Sequence, residues 1–360
     1  MEFLQSRIFK TTIYLIFFYL LISVLIIAKS FLIPLAWAVL FALLGIRILE
    51  RIERKVKINR IVLILLFVSS IVIIILIIVY FFYWEISNII ETLPSFTDDI
   101  SDKLHQISLS LRQYGINIPD HINREYISAE LEIHHDTVVI VLSSIGVTIA
   151  DIFLICFYLF FMLYYQGIGY SFIEQKLKNK HKIENAKTLI SKIQNLVNNY
   201  IVGLLLITLI TFILNYIVLL LFQLEFALFF ALFVSILSLI PYLGYPLGTL
   251  VILLFAILTK DNTLTAIFTA VFVYVNNIIQ ENILRPWLVG DQLKINAFMV
   301  FFFIIVGGII WGIAGMVLFL PIVGIIKIFL ESNPKTAHYA IFLADRKYKI
   351  PDYEEKIKKE

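Results

Sequence analysis

The chain has 360 residues, of which 61% are hydrophobic, with a mean hydropathy of +0.94 and a formal net charge of +3. A soluble domain is roughly 45–50% apolar, so a water-soluble globule is excluded; the net charge says little, because the basic residues act by position in loops that abut apolar runs, and nucleic-acid binding has no support. The apolar runs lack the period-two polarity of a barrel strand and approach the roughly 20 residues that carry a helix across a bilayer core. The expected class is therefore an all-α polytopic membrane protein.

Taken in chain order, residues 13–28 and 31–46 form a tight pair of apolar runs around Lys29-Ser30. Arg7 and Lys10 precede the first run, but no small-residue cleavage site follows it, so it reads as a retained span. Residues 61–84 form an Ile-rich span and residues 138–165 another. Runs 201–222, 226–258, 264–279 and 297–330 follow. This predicts about eight transmembrane helices, some broken or re-entrant. The run 226–258 is interrupted between Pro241 and Pro246, and the run 297–330 at Gly307-Gly308 and Gly315. Each is too long for one straight crossing at about 1.5 Å per residue. Each therefore reads either as one broken crossing or as a hairpin that leaves on the side it entered.

Basic residues set the expected orientation. Arg47, Arg51, Arg54, Lys55, Lys57 and Arg60 crowd the loop after the second run. Lys176, Lys178, Lys180, Lys182, Lys187 and Lys192 fill the loop after the fourth, and Arg346, Lys347 and Lys349 open a basic tail. These belong in the cytoplasm, with both termini. Residues 85–137 carry three basic residues against ten acidic ones and belong outside. There Leu93, Phe96, Ile100, Leu104, Ile107, Leu111 and Tyr114 step by three or four, an amphipathic stripe suited to lying on the bundle or to forming a seam between subunits. The expected division is 1–84, the first three spans; 85–137, the extracytoplasmic amphipathic segment; 138–331, the core with broken helices; and 332–360, a charged cytoplasmic tail.

The chemistry gathers in a few places. On a helix Asn277, Glu281 and Arg285 share a face, with Asn276 and Gln280 beside them. Pro286 removes a backbone donor and breaks the helix, and Gly290 follows. A polar row beside a helix break in an oily chain is a candidate solute path; an interfacial, purely structural role is the rival. In LIPYLGYPLG, residues 239–248, Pro241, Gly244, Pro246 and Gly248 forbid an ordinary helix, and Tyr242 and Tyr245 offer hydroxyls. Gly308 and Gly312 form a GxxxG that favours close helix packing. Asp151 is the lone acid of the fourth run, and with Glu281 it is a candidate coupling carboxylate. Asn215 lies deep in the fifth and reads as an interhelical hydrogen bond. His134-His135-Asp136 has the wrong spacing for a metal site and reads as solvated loop. No GxxxxGK[ST], HExxH or Ser/His/Asp set occurs, so no catalytic residues, metal or cofactor are expected.

IPYLGYPLG, then NIIQENILRPWLVGD, then VGGIIWGIAGMVLFLPIVGIIKIFLE resembles, in order and spacing, the autoinducer-2 exporter family of bacterial membrane proteins. Two positions depart from the family pattern: Tyr245 stands where a second proline is usual, and Ala297 where a proline often precedes the last span. The resemblance implies a multi-pass transporter of the bacterial inner membrane that forms homo-oligomers in the lipid bilayer. It implies export of a small polar solute such as autoinducer-2, or exchange of a monovalent cation for protons. A non-transporting oligomeric scaffold is the remaining alternative.

Overall fold

A computed structural model describes residues 7–92, 135–177, 179–260, 262–284 and 293–345. All regular elements among them are helical: α1 (Arg7–Ile27), α2 (Lys29–Glu53), α3 (Arg60–Thr92), α4 (His135–Tyr164), α5 (Gln166–Lys176), α6 (Lys180–Leu221), α7 (Ala227–Leu237), α8 (Gly244–Thr259), α9 (Thr263–Ile279), a π-helical turn (Gln280–Leu284), α10 (Ala297–Ser332) and α11 (Ala337–Leu343). Among the described residues five helices, α2, α3, α6, α9 with its π turn, and α10, are long and apolar enough to cross a membrane by length and composition alone, and α4–α5, bent by 55°, would make a sixth; a bend within α10 at Gly312 sets it apart from the other four. The stripe 93–114 and residues Arg285, Pro286 and Gly290 lie outside the described residues. His135 and Asp136 open α4 instead of lying in a loop, a correction to the sequence reading.

The chain divides into two compact units. The first comprises Met1–Val68, Asp151–Val202 and Asp291–Glu360. Within it α2 packs on α1 and α10. Gly45 leaves room for Phe67, whose ring lies 2.6 Å from where a Cβ would stand. The Trp311 indole donates to the Leu25 carbonyl at 3.0 Å. The long α10 is not one rod. Gly312 breaks it with φ 62° and ψ −145°, a combination open essentially to glycine alone. The arms on either side pack on each other, because a methyl group at Gly307 would strike the Gly315 carbonyl and one at Gly315 would strike the Gly307 carbonyl. The second arm returns to the residues before the first, with Lys327 donating to the Lys294 carbonyl at 2.7 Å, and the end of α11 meets the same stretch. Asn296 N–H donates to the Leu343 carbonyl at 3.0 Å, and Ile295 pairs with Ala344 in a short antiparallel bridge. The run 297–330 thus goes out and comes back. Gly307 and Gly315 pack backbone to backbone, Gly308 packs against the Met316 side chain, and Gly312 is the bend; of the expected Gly308–Gly312 seam, Gly312 is therefore corrected.

The second unit comprises Ser69–Ala150 and Gly203–Gly290. Here the run 226–258 becomes α7 and α8, joined by residues 238–243. They lie antiparallel: Gly248 sits against Val234, with 2.8 Å from its ideal Cβ to Val234 Cγ2, and Phe230 faces Phe255 at a centroid distance of 4.5 Å. At 11 and 16 residues the arms are about 16 and 24 Å long, short of a roughly 30 Å core. This is a short hairpin. Its core is Phe229, Phe230, Val234, Ile252, Ala256, Ala266 and Val273, flanked by Phe82 and Phe255. Small residues on the α9 face (Ala266, Thr269, Ala270, Val273) let α8 approach closely.

Candidate functional site

The buried face of α9 begins apolar and ends polar: after Ala266, Thr269, Ala270 and Val273 come Asn276 and Asn277, and Gln280 opens the π turn. Opposite it, α6 carries Thr208, Thr211 and Asn215, which share a face at helical spacing. The first turn of α8 adds Tyr245. The residues named all belong to one unit, and their side chains meet. Tyr245 Oη donates to Asn215 Oδ1 at 2.7 Å, and Asn276 Nδ2 donates to the same oxygen at 2.8 Å. Thr211 Oγ1 donates to Gln280 Oε1. Gln280 Nε2 lies a longer 3.5 Å from Tyr245 Oη. Thr211 and Asn215 are 0% exposed, Gln280 3%, Tyr245 4% and Asn276 7%.

Such groups are costly away from water unless paired. Most are paired, and the remainder is informative. Asn215 Nδ2, Asn277 Oδ1, Thr208 Oγ1 and Thr249 Oγ1 are buried with no hydrogen-bond partner among the described residues. Two are donors or acceptors on α6, one lies on α8 and one on α9. The cluster is electrically neutral at its centre, so it offers hydrogen bonds where a charged site would offer a field. Beside it the backbone departs from α geometry. The π turn spaces carbonyls by an extra residue, and Asn282 Nδ2 donates to the Ile278 carbonyl at 2.8 Å.

The expected site residues divide. Asn276, Asn277 and Gln280 are buried in this unit, and Glu281 is half-buried in the π turn. Pro241, Gly244 and Gly248 shape the α7–α8 hairpin: Pro241 is buried in the turn, and a methyl group at Gly244 would strike the Leu237 carbonyl. Pro246 is exposed on the first turn of α8. Tyr242 is 52% exposed and adopts φ 65°, so Tyr245, not Tyr242, brings its hydroxyl to the cluster. Asp151 lies half-buried on α4, in the other unit. Thr211 was not anticipated; its signal was the spacing to Asn215 inside an otherwise apolar run.

Residues 14–335 match the family described as AI-2E family transporter. The chain belongs to that family. Among curated relatives of this AI-2E chain, a Haemophilus influenzae protein named "Putative transport protein" is 32% identical over 110 residues, 31% of each chain. "Putative transport protein YrrI" of Bacillus subtilis is 29% identical over 93 residues, 26% of each. The match spans about a third or less of those relatives' lengths. The AI-2E assignment agrees with the helical membrane architecture, and the polar cluster lies within the matched range.

Proposed function

We propose that this chain is a membrane permease, and that the Thr211–Asn215–Tyr245–Asn276–Gln280 cluster is a polar station for a small hydrophilic solute. The observation that carries the reading is the set of buried, unpartnered polar atoms, Asn215 Nδ2, Asn277 Oδ1 and Thr249 Oγ1, beside broken helices in an apolar chain. In lipid, water or cargo is what such atoms meet. The reading extends to export of an autoinducer-2-like solute from a bacterial inner-membrane homo-oligomer with cytoplasmic termini. Asn277, Glu281 and Arg285 continue the route, the prolines and glycines at 241–248, 286 and 290 shape it, and Glu281 or Asp151 supplies any coupling proton.

The test is uptake of labelled autoinducer-2 into inside-out vesicles containing the protein. Gln280→Leu and Asn276→Leu should cut uptake at least about ten-fold, as loss of one or two cluster contacts implies, while the amount of inserted protein is unchanged. If sodium or lithium pulses instead move protons, and Glu281→Gln stops it, the chain is a cation–proton antiporter. Should neither solute move and the leucine variants match wild type in function, a non-transporting scaffold replaces the permease.

A further inference from the structure

A cleft lies wholly within the first unit, at the elbow where α4 turns by 55° into α5. It measures about 260 Å³ and is walled by Ala42 and Ile46 of α2, Met162 of α4, Gln166 and Gly169 of α5, and Ile190 of α6. The bend carries α5 away from the line of α4, and Gly169 adds no side chain to fill the gap: a Cβ there would have nothing within 4 Å. Two polar ties frame the walls. Arg47, next to Ile46, donates to Asn195 Oδ1 and joins α2 to α6. Lys187 Nζ, one turn before Ile190, donates to Glu174 Oε1 at 2.7 Å and joins α6 to α5. The opening is thus held by its own side chains. Apart from glutamine amides its lining is apolar, and one polar atom in it is left over. Gln166 Oε1 is shielded from solvent and has no hydrogen-bond partner among the described residues.

Ile46 immediately precedes the basic stretch 47–60 that the positive-inside rule assigns to the cytoplasm, so the cleft lies at the level of the inner leaflet's headgroups and first methylenes. Apolar walls at that level favour a hydrocarbon chain over water. Basic pockets between spans select anionic headgroups, but here the buried atom without a partner is an acceptor. One turn beyond Ile46, the cleft face of α2 continues to the exposed carboxylate of Glu50, an acceptor again. Acceptors call for a donor, and a cationic donor makes the stronger bond. We propose that the elbow cleft binds phosphatidylethanolamine, with part of one acyl chain against Ala42, Ile46, Met162 and Ile190 and the headgroup ammonium donating to Gln166 Oε1. The site is separate from the polar cluster of the second unit and does not depend on the transport reading.

The test is native mass spectrometry of the full-length protein in detergent, mixed with phosphatidylethanolamine or phosphatidylglycerol carrying the same acyl chains. Three variants are compared with wild type. Gly169→Leu fills the cleft. Gly167→Leu adds the same bulk on the same helix outside the lining, where a Cβ also meets nothing within 4 Å. Gln166→Leu removes the acceptor and keeps the volume. Wild type and Gly167→Leu should hold phosphatidylethanolamine in preference to phosphatidylglycerol. Gly169→Leu should lose those adducts about ten-fold, and Gln166→Leu should bind the two lipids equally, the scale of change expected for one charge-assisted hydrogen bond. Should Gly169→Leu fail to fold, the lipid preference of Gln166→Leu decides alone. Phosphatidylglycerol held as well as phosphatidylethanolamine by wild type, equal adducts on folded Gly169→Leu and Gly167→Leu, or a preference that survives Gln166→Leu overturns the proposal; in the last case water is what meets the Gln166 oxygen.

Discussion

Asn215 takes two donors on one oxygen, from Tyr245 and from Asn276. Removing that oxygen leaves two buried donors without their acceptor, whereas removing the Tyr245 hydroxyl leaves Asn215 still bonded to Asn276. In water-soluble interiors an orphaned buried group costs about 1–3 kcal/mol. In membrane proteins measured interhelical hydrogen bonds average nearer 0.6 kcal/mol, because the unfolded segment finds other partners in the bilayer. The smaller figure governs here, since α6, α8 and α9 are all apolar helices of a membrane chain. Asn215→Leu should therefore destabilise by about 1–2 kcal/mol and Tyr245→Phe by about half that, read as unfolding midpoints in detergent. Equal losses would mean that the two bonds do not converge on one atom. Thr211 escaped the sequence reading for a physical reason: a lone hydroxyl can bond back to its own helix, so it carries little signal. The paired amides of Asn276, Asn277 and Gln280 cannot be hidden so easily, and they were legible.

At the scale of elements, glycine decides where the chain reverses. Gly312 holds a backbone shape closed to other residues, and Gly244 has the Leu237 carbonyl where a Cβ would be. Gly167 on α5 has nothing within 4 Å. Gly244→Ala and Gly312→Ala should each cost about 1–3 kcal/mol and lower the yield of folded protein. Gly167→Ala should gain about 0.5–1 kcal/mol of helix stability. Thermal unfolding of the three variants checks the order, and a neutral Gly312→Ala would show that the bend survives without glycine. The apolar runs made the helices legible, but not their reversals. A hairpin and a broken crossing have the same composition, and only tertiary contacts eight residues apart, such as Gly307 with Gly315, separate them. The same turn geometry sends Tyr242 outward and Tyr245 inward, which no periodicity across a Pro-Gly stretch could foretell.

For the molecule as a whole, two returning hairpins change which connections share a side. Residues 293–296 meet residues 343–345, at and just past the end of α11, and Lys327 in the last turns of α10 reaches the Lys294 carbonyl, which predicts that the start and end of α10 face the same compartment. By the same logic the connections before α7 and after α8 share a side. In a Cys156→Ser background, Lys294→Cys and Lys335→Cys should react with a membrane-impermeant maleimide from the side that labels Lys182→Cys. Glu225→Cys and Asn262→Cys should react from the other. Labelling of positions 294 and 335 from opposite faces would restore a single crossing for α10.

An excursion that comes home contributes nothing to the polarity of insertion. Adding or losing one of the membrane-crossing helices would turn every later segment upside down, but stretching, shortening or even excising either hairpin would leave the rest of the chain the right way up. The two segments with the most irregular backbone are thus the ones whose length does not decide which way up the rest of the chain lies.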